Sequence, residues 1–249
     1  MTSPKAALLN VLRRVEGGPR RKSHRQDLAR ARAANPGDTA RPKLVLASGS
    51  PRRLLLLSQV GIKPDAVRPS SIDESPLKGE MPRALVARLA RAKGEAARDQ
   101  IADDRDIADA YVLAADTVVS VGRKVLTKPQ YVEEAVASLQ LLSGRTHRVL
   151  TGLCLITPDD KLRTKIVDTR VRFKHLSRSE IEAYVGSREW RGKAGGGGNH
   201  GLAGSFVQKL VGSYTNVVGL PLTEVTAMIV AEGFPVHFEW ARAADLEPE

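Results

Sequence analysis

The 249-residue chain is long enough for one large α/β domain or two small lobes with an ample core. Its 42% hydrophobic content is ordinary for a soluble globular protein, and no apolar run approaches the ~20 residues that span a bilayer. The single cysteine, Cys154, excludes an internal disulfide; lying in an apolar run, it reads as a buried thiol in a reducing cytosol. The net charge of +11 suggests nucleic acid, but its distribution does not: residues 1–42 hold ten Lys/Arg and three acids, so +7 of the +11 sits there. The remainder is unremarkable for an enzyme of anionic substrates, with neither membrane nor nucleic acid expected as a partner.

Residues 1–42 are Arg/Ala-rich and broken by Gly17-Gly18-Pro19 and Asn35-Pro36-Gly37, so they read as a disordered basic extension. They lack the apolar core of a secretory signal. Residues 43–240 read as the folded domain and 241–249 as a C-terminal tail. Lys43–Ala47 predicts a strand, and Arg52–Gln59 a helix closed by Gly61, with Ser50 as N-cap and Pro51 at the first helical position. Ala66–Arg68 is a short strand, residues 70–75 a polar loop, and Pro82–Asp99 a helix with Leu85, Val86, Leu89, Ala92 and Ala96 at helical spacing. Val112–Val121 is a strong strand that turns through Gly122 into Val125-Leu126. Tyr131–Leu142 is a helix. Arg148–Thr157 and Lys161–Phe173 form a hairpin, and Ser177 with Glu180 makes a capping box opening the helix Ser177–Val185. After a glycine-rich segment come Phe206–Lys209, Thr215–Val218 and the helix Leu222–Glu232. Alternating helices and strands, some in hairpins, predict an α/β fold with a mixed central sheet flanked by helices.

Two features carry chemistry. The run Leu44–Arg53 is a strand, a glycine turn and a helix start with two arginines. Free N–H groups at a helix N-terminus and guanidinium forks suit a polyphosphate. Asp116 ends the apolar run Val112–Ala115; a carboxylate there is costly unless paired or bound to metal. A Mg²⁺–polyphosphate substrate would suit it. Glu74 is a second carboxylate, in the polar loop. Lys93 and Lys128 bring the cations to four with Arg52 and Arg53. The glycines at 196, 198 and 201 formally match a dinucleotide fingerprint, but no strong strand leads into them and no clear helix follows, so that reading fails. The five histidines show no zinc spacing.

Taken in order, Ala47–Arg53, Asp73-Glu74, Leu89–Lys93, Ala115-Asp116-Thr117, Lys128-Pro129, Leu142-Ser143-Gly144 through His147, Lys193-Ala194-Gly195, Gly212-Ser213-Tyr214 and Val217–Leu222 resemble the Maf-type nucleoside triphosphate pyrophosphatases. The resemblance covers roughly residues 43–235. It implies two lobes around a substrate cleft and hydrolysis of a nucleoside triphosphate to monophosphate and pyrophosphate with Mg²⁺ or Mn²⁺. It implies that Asp116 activates water, that Glu74 and Asp116 serve the metal, and that Ser50, Arg53, Lys93, Lys128 and Lys193 hold phosphates. Arg52 directly after Ser50-Pro51, together with Thr117, matches the subgroup acting on dTTP and UTP. A homodimer and a cytoplasmic location are further expectations from the family. The chain departs from the pattern at Gly197, Asn199 and His200, where relatives carry tyrosine, isoleucine and a specificity-setting glutamine. His200 is the residue left to contact the base. The departure opens an alternative reading, a nucleotide-binding regulator linked to cell division with weak catalysis.

Overall fold

A computed structural model describes residues 41–197 and 201–236. The basic extension, apart from Arg41 and Pro42, and the C-terminal tail lie outside the described residues.

Four strands come first in the chain: β1 (Leu44–Ala47), β2 (Ala66–Val67), β3 (Tyr111–Val121) and β4 (Lys124–Leu126). Three more complete the sheet: β5 (Thr146–Ile156), β6 (Leu162–Phe173) and β7 (Val207–Val211). The order is β2-β1-β3-β5-β6-β7, with β4 paired to β3. β1 runs parallel to both neighbours and every other pair is antiparallel. The mixed sheet expected from the sequence is therefore present. The helices are α1 (Pro51–Gln59), α2 (Pro82–Ile101), α3 (Val132–Leu142), α4 (Arg178–Gly186), α5 (Tyr214–Val218) and α6 (Leu222–Ala231). Thr215–Val218, a short apolar segment in the sequence, lies in α5, whose first turn is closed by the Ser213 hydroxyl accepting from the Asn216 N–H. The capping box of Ser177 and Glu180 is formed at the start of α4.

Alternation along β3 sends its residues to two faces. Leu113 and Ala115 pack with Leu44, Leu46 and Leu153 under α1 and α6. Val112 and Ala114 pack with Val45, Cys154 and Ile156 under α2, and Val118 meets Leu85, Val86 and Leu89 of the same helix. Further along, Val119 belongs to a separate core with α3, α4, Phe173 and Trp190. The cores at the Leu113 end and at the Val119 end of β3 are thus distinct. A buried polar seam separates them: Thr151, Thr169 and Asn216 are fully buried. The Asn216 amide donates to the Val149 carbonyl at 3.0 Å and to Thr169 Oγ1 at 3.0 Å.

Strand pairing leaves a gap in the frame. β1 pairs with β3 only as far as Ala114, and β4 joins β3 only from Val119. Between them the edge of β3 at residues 115–118 is open on that side. Directly opposite Asp116, on β5, stands Gly152. A Cβ there would lie 2.2 Å from the Val86 carbonyl oxygen of α2, so only glycine lets the helix lie this close to the sheet. Among the described residues no helix is long and apolar enough to cross a membrane.

Candidate active site

The open edge of β3 is the floor of a cleft of about 420 Å³, at the carboxyl end of β1. Ligands of α/β proteins bind outside the carboxyl ends of strands where the topology switches, and β3 makes such a switch here. Asp116 and Thr117 stand side by side at this gap and point to opposite faces of the strand. Both line the cleft.

On the α2 side, Lys93 Nζ lies 2.6 Å from Asp116 Oδ1 and 2.6 Å from Glu74 Oε1. Lys93 and Asp116 are buried. Lys128 Nζ reaches Glu74 Oε2 at 3.2 Å. Burial of Glu74 opposes its ionisation, yet Lys93 and then Lys128 together hold its pKa below the usual carboxylate value. The loop carrying Glu74 is fixed by Arg88. That guanidinium pairs with Glu80 at 2.8 Å and donates to the Ser75 carbonyl at 3.0 Å, and it holds the Glu80 carboxyl at about 2. Thus a loop with no regular structure presents its carboxylate from a braced position.

On the other face, Arg53 is buried and tied into the fold. Its Nε donates to the Gly219 carbonyl at 2.8 Å, Nη1 to Ser48 Oγ at 2.9 Å and Nη2 to Thr117 Oγ1 at 3.2 Å. Burial lowers its pKa, with the charge of Asp116 working against that shift. Three of its five donors are spent on protein, which locks the guanidinium plane and leaves the rest for a ligand. Thr117 Oγ1 is also 2.8 Å from Thr151 Oγ1, which ties this corner to the polar seam. Ser50 occupies the N-cap position of α1, but its side chain makes no capping bond. Its hydroxyl therefore remains for a ligand at the cleft mouth. Arg52 lines the cleft too, and its Nε is buried without a partner among the described residues.

In the glycine-rich segment, Lys193 lines the cleft while its ammonium pairs with Glu189 at 3.1 Å. Gly195 and Gly196 follow with φ of +67° and +68°, conformations that side chains rarely adopt. Gly195 donates to the Thr127 carbonyl at 3.0 Å, and the Gly196 carbonyl accepts from the Tyr184 hydroxyl at 2.9 Å. Gly197 faces the ring edge of Phe173.

The structure thus gathers Ser50, Arg52, Arg53, Glu74, Lys93, Asp116, Thr117, Lys128 and Lys193 around one cleft. The remaining candidate, His200, lies outside the described residues, as does Asn199, so the departure behind the regulator reading is described only at Gly197. Among the described residues no group of three or more His, Cys, Asp or Glu side chains is arranged to hold a metal ion. Two carboxylates, Glu74 and Asp116, nevertheless converge on one cationic point, held by the Lys93 ammonium. That donor set fits Mg²⁺ or Mn²⁺ bound through two carboxylates, with substrate phosphates and water completing the shell. Sequence reasoning missed Ser48, Thr151 and Gly219, which hold Arg53 and Thr117. Their partners are distant in the chain, and no local pattern marks them. It also gave His147 no role, although an imidazole on an otherwise apolar strand face was a visible signal.

Residues 43–232 match the family model described as Maf-like protein. Among curated proteins the chain is 60% identical over 204 residues to the dTTP/UTP pyrophosphatase of Rhodopseudomonas palustris strain BisB5, covering 82% of this chain and 99% of the relative. It is 59% identical over 203 residues to the dTTP/UTP pyrophosphatase of Bradyrhizobium diazoefficiens, covering 82% and 97%. Among solved structures, the Staphylococcus aureus Ham1 protein aligns with a TM-score of 0.37 and 15% identity over 53% of this chain and 71% of that one.

Proposed function

We propose that this chain, which belongs to the Maf-like protein family, hydrolyses nucleoside triphosphates of the dTTP and UTP type to the monophosphate and pyrophosphate. The observation that carries the reading is one cleft in which a buried aspartate, Asp116, stands among Lys93, Arg53 and Lys128 at an open strand edge. The names of the curated relatives support the pyrimidine substrates.

The protein's share of the chemistry is positioning and charge. Ser50, Arg53, Lys93, Lys128 and Lys193 take the phosphate oxygens. A water molecule attacks the α-phosphorus, and Asp116 accepts its proton. Lys93 engages Oδ1 of Asp116, which leaves Oδ2 as the acceptor. As the new O–P bond forms, the bond to the α–β bridging oxygen breaks, and pyrophosphate departs with the electron pair. The cations neutralise the charge that builds on it. Glu74 and Asp116 would hold a divalent cation, Mg²⁺ or Mn²⁺, which when bound supplies charge neutralisation and polarises the phosphates. Arg52 and Thr117 contribute to substrate choice, with His200 the further contact proposed from the sequence. A cytoplasmic house-cleaning role and a homodimer complete the proposal.

The test is pyrophosphate release from a panel of nucleotides with Mg²⁺ or Mn²⁺. The protein should turn over dTTP and UTP, and Asp116→Asn should lower the rate by about 10²–10⁴-fold, the usual span for a lost general base. Equal rates in the two proteins would remove Asp116 from the proposed role, and no turnover of any nucleotide would overturn the function.

A further inference from the structure

His147 opens the strand row His147–Val149–Thr151 on β5. Thr151 and Val149 pair with Thr117 and Val119 of β3, so this row and that of Thr117 line the same face of the sheet. Thr117 marks the end where Arg53 sits. Strand residues rise about 3.3 Å each, so the four residues from Thr151 to His147 carry the row roughly 13 Å further along the cleft. That matches the reach of a nucleotide from its phosphates to its base. At this far end Val149, Leu142, Phe173 and Gly197 form apolar walls.

The ring of His147 stands edge-on to Phe173, with centroids 4.9 Å apart. The residue is 3% exposed and lines the cleft. Its Nδ1 is sealed off and has no hydrogen-bond partner among the described residues. A buried N–H without an acceptor is rarer and costlier than an unfilled lone pair. The proton of the neutral ring therefore belongs on Nε2, the nitrogen that is not sealed off. Burial keeps the ring neutral, with a pKa pushed down to about 4. The result is one N–H donor in an apolar slot, at base distance from the phosphate site.

We propose that His147 is a specificity-determining residue, its Nε2–H donating to a carbonyl oxygen of the pyrimidine base. The proposal rests on the nucleotide function and deepens it. A keto oxygen at that point completes the donor, whereas a bare phosphate chain leaves it unused. The hydrogen bond in a water-poor slot discriminates because the unpaired donor is costly when the base is absent or wrong.

Equilibrium binding of α,β-methylene UTP and of inorganic tripolyphosphate, each with Mg²⁺, separates the two ends of the cleft. Neither measurement depends on turnover. His147→Leu should weaken the UTP analogue by about tenfold or more while moving tripolyphosphate by less than about threefold. His147→Asn, which keeps a donor, should recover part of the loss. A parallel fall for both ligands marks a packing role and overturns the proposal, as does an unchanged affinity for the UTP analogue. If His147→Leu does not fold, His147→Phe, which also lacks the donor, is measured in its place, and a ratio of the two affinities equal to wild type in that folded variant overturns it. Failure of the wild-type protein to bind the UTP analogue at all would instead overturn the function itself.

Discussion

At its phosphate end the cleft is crowded with charge that is already paired; at its base end, among the described residues, it is apolar and holds one polar ring with an unpartnered nitrogen. Lys93, Glu74, Asp116 and Lys128 form a continuous ion-pair chain before any ligand arrives. His147 sits against Phe173, and its Nδ1 has no hydrogen-bond partner among the described residues. The first end is preorganised by mutual neutralisation, so ligand oxygens meet groups already in position. The second is shaped by packing. Binding energy should come chiefly from the charged end, and most of the discrimination from the apolar one, with Arg52 and Thr117 adding to it.

The sharpest way to break this contrast is Lys93→Met. It leaves two carboxylates without their shared cation, and turnover should fall about 10²–10³-fold. If the contrast holds, the fall is equal for every nucleotide, measured as kcat/KM over the panel. A changed ratio between nucleotides would move discrimination to the phosphate end.

Next in size is the pH response of the base end. The His147 imidazole is held at about 4 in the folded protein against an ordinary 6.5, because burial disfavours its charged form. The unfolded chain therefore binds the proton first on acidification. The contribution of the neutral ring is complete above pH 6.5 and is lost as pH falls towards 4, about 3 kcal/mol in all. Urea unfolding at pH 7 and pH 4 should show His147→Leu losing less stability than wild type by about that amount. An equal loss in the two proteins would mean that the ring is not held neutral.

Much of the charged end was legible in the chain. A strand, a glycine turn and Ser50-Pro51-Arg52-Arg53 announce a phosphate-binding helix start, and Asp116 in an apolar strand announces a carboxylate with a purpose. These are local patterns, and strand pairing leaves them as they are. The use of each residue was not legible. Arg53 reads as a ligand for phosphate, yet its acceptors lie 5, 64 and 166 residues away and take three of its donors for the fold. Glu74 reads as an ordinary loop carboxylate until Arg88 braces its loop and α2 brings Lys93 beside it. His147 was visible as an imidazole on an otherwise apolar strand face, but its use depends on Phe173 across the hairpin, and single-residue chemistry does not reveal that it faces a cleft.

Smaller effects refine the comparison. Gly195→Ala adds a Cβ at φ +67°, 3.3 Å from Val119, and should cost about 1–2 kcal/mol of stability, read as a lower urea midpoint. No loss would mean that the turn at the base end relaxes freely. Lys128→Ala removes an exposed cation that pairs with Glu74 Oε2. Its effect on kcat/KM should be the least, about three- to tenfold, in line with the modest worth of exposed ion pairs. A loss as large as that of Lys93→Met would show that the chain of charges acts as one unit.

The hydrogen atom that serves as the side chain of Gly152 works as a spacer gauge for the whole charged end. It sets the height at which α2 rides over the sheet, and Lys93 lies two turns along that helix from the point of contact at Val86. A methyl group at position 152 would lift the helix as a rigid rod and draw the ammonium away from Asp116, without altering any residue that touches a substrate. The length of the bond between Lys93 and Asp116 is thus set by a residue that carries no functional group.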